Sequence, residues 1–88
     1  MSMQARITAH LAALSPLELD VIDESEQHRG HGGWREGGET HFRVKIRSAA
    51  FAGQNRVARH RAVNDLLAPE FARGLHALAI VAKAPDEE

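Results

Sequence analysis

Cysteine and tyrosine are absent from this 88-residue chain, and aromatic residues make up only 5% of it. Without a thiol, a disulfide scaffold, a cysteine-based zinc site and a cysteine nucleophile are excluded. Any soft-metal chemistry must use imidazole or borrow sulfur from another molecule. The same absence fits a reducing compartment. With so few aromatic rings, the core must be built mainly from Leu, Ile, Val and Ala. Charge of neither sign dominates: 11 Lys and Arg against 12 Asp and Glu leave a formal net charge of -1, so no global field draws the chain to nucleic acid or to an acidic membrane. No apolar run approaches the ~20 residues that span a bilayer. The early apolar positions are interrupted by Arg6 and His10, unlike the core of a signal peptide. One small, soluble, cytoplasmic domain is expected, near the lower size limit for a self-sufficient core.

What the chain has instead is histidine, six in all, two of them in the glycine-rich run His28-Arg29-Gly30-His31-Gly32-Gly33. Imidazole changes charge near neutral pH and is the commonest nitrogen ligand for metals. Glycines around it allow a loop to close over a ligand at little steric cost.

The apolar spacing of Met3, Ile7, Leu11 and Leu14 predicts a first helix over 3–14, ended by Ser15-Pro16. Leu17, Leu19 and Val21 alternate with Glu18 and Asp20 and predict a half-buried strand to about Glu24. After the glycine-rich loop, Thr40, Phe42, Val44 and Ile46 alternate with His41, Arg43, Lys45 and Arg47, a strand with one apolar and one basic face. A turn at Phe51-Ala52-Gly53 leads to a helix over 55–67, with Ala58, Ala62, Val63, Leu66 and Leu67 as its buried stripe. Pro69 opens a short further helical turn and Gly74 stops it. The nearly continuous apolar run over 75–81 reads as a strand covered on both sides. The order is α-β-β-α-(short α)-β: an α+β domain over 1–83 with a three-stranded sheet packed by helices on one side, and an acidic tail over 84–88 expected to fray.

Asp23-Glu24-Ser25, the His28 loop, Glu39-Thr40-His41-Phe42-Arg43-Val44, Phe51-Ala52-Gly53, Arg59-His60-Arg61 and Leu75-His76-Ala77-Leu78-Ala79-Ile80 together resemble the BolA family in order and approximate spacing. The match covers almost the whole chain, and the long His-x-Gly-His-Gly-Gly run looks like the family's type with histidine in the loop between its first two strands. The resemblance implies a class II KH-like fold and a non-enzymatic partnership with a monothiol glutaredoxin. The pair would share a bridged 2Fe–2S cluster in iron–sulfur trafficking and iron homeostasis, with thiolates from the glutaredoxin and glutathione and imidazole from this chain. His76 corresponds to the family ligand opening the last strand; the loop ligand is His28 or His31. Some bacterial members are associated with transcriptional control of morphology and stress. No cofactor is expected on the isolated protein, which would be a monomer or weak homodimer.

Physical chemistry makes a partner a requirement of that reading. Two imidazoles can replace two of a cluster's four thiolates, so a cysteine-free chain supplies at most half of the ligands. The other histidines have plainer roles: His10 as a solvated helix residue, His41 in cross-strand pairing, His60 in hydrogen bonding or partner contact. Trp34 would cover the site, anchor a partner or stand half exposed. A mononuclear zinc site from His28, His31 and His76 is the simplest metal alternative. DNA is the competing partner, contacted through Arg43 and Lys45 on the strand and Arg56, Arg59 and Arg61 on the helix. Against it, no Gly-x-x-Gly clamp stands between Gly53 and His60, and aromatic stacking residues are scarce. Asp23, Ser25 and His28 contain the residue types of a hydrolytic triad, but no nucleophile elbow or phosphate-binding loop accompanies them.

Overall fold

In the computed structural model, which describes residues 2–25 and 40–87, the first helix, α1, spans Met3–Leu11. It begins where the Ser2 hydroxyl accepts the Ala5 N–H at 3.1 Å, satisfying one of the amides left open at a helix start. Met3, Ile7 and Leu11 are buried, as their four-residue spacing requires. The chain then tightens into a 3-10 turn over Ala12–Leu14 and leaves helical geometry at Ser15, in left-handed conformation at φ 47°. The helix expected through Leu14 is therefore an α-helix with a 3-10 end.

Three strands form one sheet in the order β1-β2-β3. β1 (Glu18–Asp23) runs antiparallel to β2 (His41–Arg47), and β3 (Ala77–Lys83) runs parallel to β2. A parallel neighbour demands a long crossover, and this one holds α2 (Arg56–Leu66) and α3 (Ala68–Arg73). Asn55 caps α2 by accepting the Ala58 N–H at 2.8 Å. Pro69 lies in the first turn of α3, and Gly74 ends it at φ 126°, where a side chain would be strained.

Strand alternation sorts the side chains. Val21, Phe42, Val44 and Ile46 turn inward to meet Met3, Ile7, Leu11, Phe51, Val63, Leu67 and Leu75, with Leu78, Ile80 and Ala82 packed alongside. The opposite face carries Glu18, Asp20 and the exposed Ile22 on β1, a basic row on β2 and a mostly small apolar row on β3. Arg43 pairs there with Glu24 at 3.0 Å and Arg47 with Glu18 at 3.2 Å. The run over 75–81 was expected to be a strand covered on both sides. In fact Leu75 belongs to the core before the strand begins, and β3 is an edge strand whose Val81 is exposed.

Two further expectations change. The tail is tied over 84–87: the Arg47 guanidinium donates to the Ala84, Pro85 and Glu87 carbonyls, and Arg59 pairs with the Glu87 carboxylate. His10 is not simply solvated. Its Nε2 lies 3.0 Å from a carboxylate oxygen of Glu70, and the Arg6 Nε donates to the other oxygen at 2.7 Å. Glu70 is only 1% exposed, so the two partners replace the water it lost. Burial pushes this carboxyl up, but the hydrogen bonds from Arg6 and His10 and the charges of Arg6 and Arg73 outweigh it. The net pKa falls below the ordinary carboxyl value.

A carboxyl lowered in the folded state stabilises the fold above its unfolded pKa, and the contribution disappears as pH falls through the folded value. Arg6→Ala is expected to cost about 3 kcal/mol at pH 7, because it leaves a buried carboxylate with one partner. Glu70→Gln is expected to cost about 2 kcal/mol and to flatten the loss of stability below pH ~4.5. Urea denaturation across that pH range checks both.

Candidate metal and partner site

One end of the sheet gathers the residues that carry ligand chemistry. β1 leaves the sheet through Asp23, Glu24 and Ser25, and β2 enters it through Thr40 and His41. The two ends are bonded together: the Glu24 N–H donates to the His41 carbonyl at 2.8 Å. Ser25 holds the junction more firmly still. Its buried hydroxyl accepts the Thr40 N–H at 3.0 Å and the His41 N–H at 3.1 Å, while its own N–H donates to Asp23 Oδ1 at 2.9 Å. The hydroxyl oxygen thus serves as a backbone clamp, which speaks against the triad of Asp23, Ser25 and His28.

His76 arrives at the same junction from the crossover. Its N–H donates to the Thr40 carbonyl at 2.8 Å, and the Ala77 N–H shares that acceptor at 3.1 Å. The His76 side chain is exposed at this end of the sheet, open to a ligand or partner. Beside it stands His41, with ring centroids 5.3 Å apart and planes tilted by 55°. His41 was expected to be a pairing residue on the basic face. It is buried instead, and its Nδ1 lies 2.9 Å from the Thr40 hydroxyl. The Thr40–His41–His76 arrangement is not legible from strand alternation, because the ring beside His41 comes from a distant segment.

His28, His31 and Trp34 lie outside the described residues. Among the described residues no three His, Asp or Glu side chains form a metal-binding group. The zinc alternative of His28, His31 and His76 takes two of its three members from outside those residues.

The residues proposed for nucleic acid differ in their surroundings. Arg43 is paired with Glu24, and Lys45 is exposed opposite Asp20 on the open sheet face. Arg56 and His60 line a groove between α2 and β3, and Arg61 is exposed. Arg59 is bound up, donating to the Gln54 and Ala82 carbonyls and to Glu87. No described helix is long and apolar enough to cross a membrane.

The model of the BolA-like protein family matches residues 11–87. An uncharacterized protein in the cobS 5' region of Sinorhizobium sp is 58% identical over 78 residues, covering 88% of this chain and 84% of that protein. The DNA-binding transcriptional regulator BolA of Vibrio cholerae is 49% identical over 65 residues, covering 74% of this chain and 58% of its own length. Some relatives are longer still, and the chain spans 21% and 48% of two from Arabidopsis thaliana. Among solved structures, the BolA domain of SufE1 from Arabidopsis thaliana superposes with a TM-score of 0.89 at 49% identity, over 100% of this chain and 98% of that one. The mixed α+β architecture and the sequence agree, and the chain belongs to the BolA-like family.

Proposed function

We propose that the chain is a non-enzymatic, cytoplasmic partner of a monothiol glutaredoxin that helps to carry a bridged 2Fe–2S cluster in iron–sulfur trafficking and iron homeostasis. The observation that carries this reading is the exposed His76, set against the hydrogen-bonded ends of the segment holding His28 and His31, in a chain without cysteine. The cluster is the cargo. His76 supplies one imidazole and His28 or His31 the other, while the glutaredoxin cysteine and glutathione supply thiolates. Two imidazoles on one iron are chemically sound. The family resemblance supports the partner's identity, and the donor inventory supports the division of ligands.

This chain's own contribution is placement. Ser25 fixes the two ends of the histidine segment, Thr40 joins that clamp to the His76 backbone, and the buried His41 ring supports the side of His76. Imidazole ligates only when neutral, so acidification should compete with the cargo.

Mixing the protein with monothiol glutaredoxin, iron, sulfide and glutathione should give visible absorption and circular dichroism bands that differ from those of glutaredoxin alone. His76→Ala should alter them, and a further His28→Ala or His31→Ala change should identify the loop ligand. A heterodimer spectrum unchanged in the triple variant contradicts the assignment. Ser25→Ala, which strips two buried amides of their acceptor, should cost about 2 kcal/mol in urea unfolding and weaken cargo retention while leaving every ligand in place.

Control of transcription through DNA is the second reading, favoured by the exposed Lys45, Arg56 and Arg61 and by the name of the Vibrio relative. The pairing of Arg43 and Arg59 with carboxylates reduces the charge available for it. Duplex binding should be weak at near-physiological salt and fall steeply as salt rises, as for non-specific phosphate contact. A sequence-selective, salt-tolerant complex would establish DNA as a specific ligand.

A further inference from the structure

At the end of β3 far from His76, a groove of about 490 Å³ runs between that strand and the start of α2, lined by Arg56, Arg59, His60, Ile80, Lys83 and Glu87 among others. Arg59 is its fixed point. The side chain is 12% exposed, and its Nε donates to the Gln54 carbonyl at 2.9 Å and one terminal nitrogen to the Ala82 carbonyl at 3.1 Å. Those two carbonyls hold the guanidinium plane. Both terminal nitrogens then donate to the Glu87 carboxylate, at 2.5 and 3.1 Å, in a two-pronged contact. The Ala84 N–H donates to the same carboxylate. Lys83 adds attraction from the strand. Glu87 itself remains 43% exposed: the receptor is built, and its occupant is only loosely covered.

A rigid guanidinium fork suits a planar carboxylate, and holding it beforehand lowers the cost of binding one. The groove also offers apolar area at Ile80 and a backbone amide beside the carboxylate, which suits a peptide. No Phe, Tyr or Trp is among the residues lining it, so it gives a nucleobase no such ring to stack on. We infer that this groove is a binding site for an acidic peptide segment of a partner protein, and that Glu87 occupies it as a tethered competitor. A tethered carboxylate acts at an effective concentration in the millimolar range, so it excludes weak acidic segments and yields to one that makes further contacts.

The test uses the full chain, without iron or glutaredoxin, so that it is independent of the cluster reading. The probe is a peptide copying residues 84–88, capped at both ends, titrated while the Arg59 Nε–H signal is followed by NMR. Glu87→Gln should bind it about tenfold more tightly than the unaltered protein. Adding Arg59→Lys to that variant should abolish the gain, with circular dichroism reporting whether the fold is kept. If Arg59→Lys disturbs the fold, Arg56→Gln in the Glu87→Gln background should weaken the peptide about threefold instead. Equal affinity for the unaltered protein and Glu87→Gln, or no binding to either, overturns the inference. So does a single-stranded oligonucleotide that displaces the peptide at near-physiological salt.

Discussion

Because β3 runs parallel to β2, the chain between them must travel back along the whole sheet before it can pair, and most of the molecule follows from that requirement. The crossover contains α2 and α3; it supplies Val63 from α2 and Leu67 from the junction between the two helices to the core. Joined to the α1 stripe of Met3, Ile7 and Leu11, they cover one face of the sheet and leave the other open. The crossover also fixes where its last residues land. Gly74 turns the chain, Leu75 seals the core, and His76 is delivered against Thr40 at the entry of β2. The proposed ligand residue is thus brought to the ends of β1 and β2 by strand pairing.

The two ends of the sheet consequently differ in character. At one end, hydroxyl and backbone groups of Ser25 and Thr40 tie three chain segments together around two histidines. At the other, Arg47 and Arg59 collect backbone carbonyls and the Glu87 carboxylate, fastening the tail against the β3 edge. Between them, the open face pairs acidic β1 with basic β2, which neutralises much of a stripe that looks like a nucleic-acid surface when β2 is read alone. The polar residues here are mostly engaged with one another, and His76 is exposed at the one end.

Local pattern made some of this legible. Alternation around Phe42, Val44 and Ile46 marked the central strand because one face of it is buried, and the spacing of Met3, Ile7 and Leu11 marked α1 for the same reason. His76 was singled out through the family resemblance, and the structure shows it exposed, with its N–H on the Thr40 carbonyl. What escaped were the long-range polar contacts. His10 reads as a surface residue because the carboxylate beside it, Glu70, is sixty positions away. His41 reads as an exposed member of a basic stripe because its burial depends on tertiary neighbours such as His76. Arg59 reads as a free cation because Glu87 lies in a tail whose composition suggests fraying. The apolar run over 75–81 suggested a two-sided strand, since composition does not distinguish a residue that closes the core before a strand from one within it.

We propose that this end of the sheet, with His76 at its surface, is where the cargo is shared. It is tested most directly by titrating the isotope-labelled chain with apo and then cluster-loaded monothiol glutaredoxin and comparing the NMR spectra residue by residue. The paramagnetic cluster should broaden signals of His76, Thr40 and His41 beyond detection while those of Arg59 and Ala84 persist, and the apo partner should shift the first group without broadening it. Loss of signal centred on Lys45 and Arg47, or none at His76 with the loaded partner bound, would contradict the account.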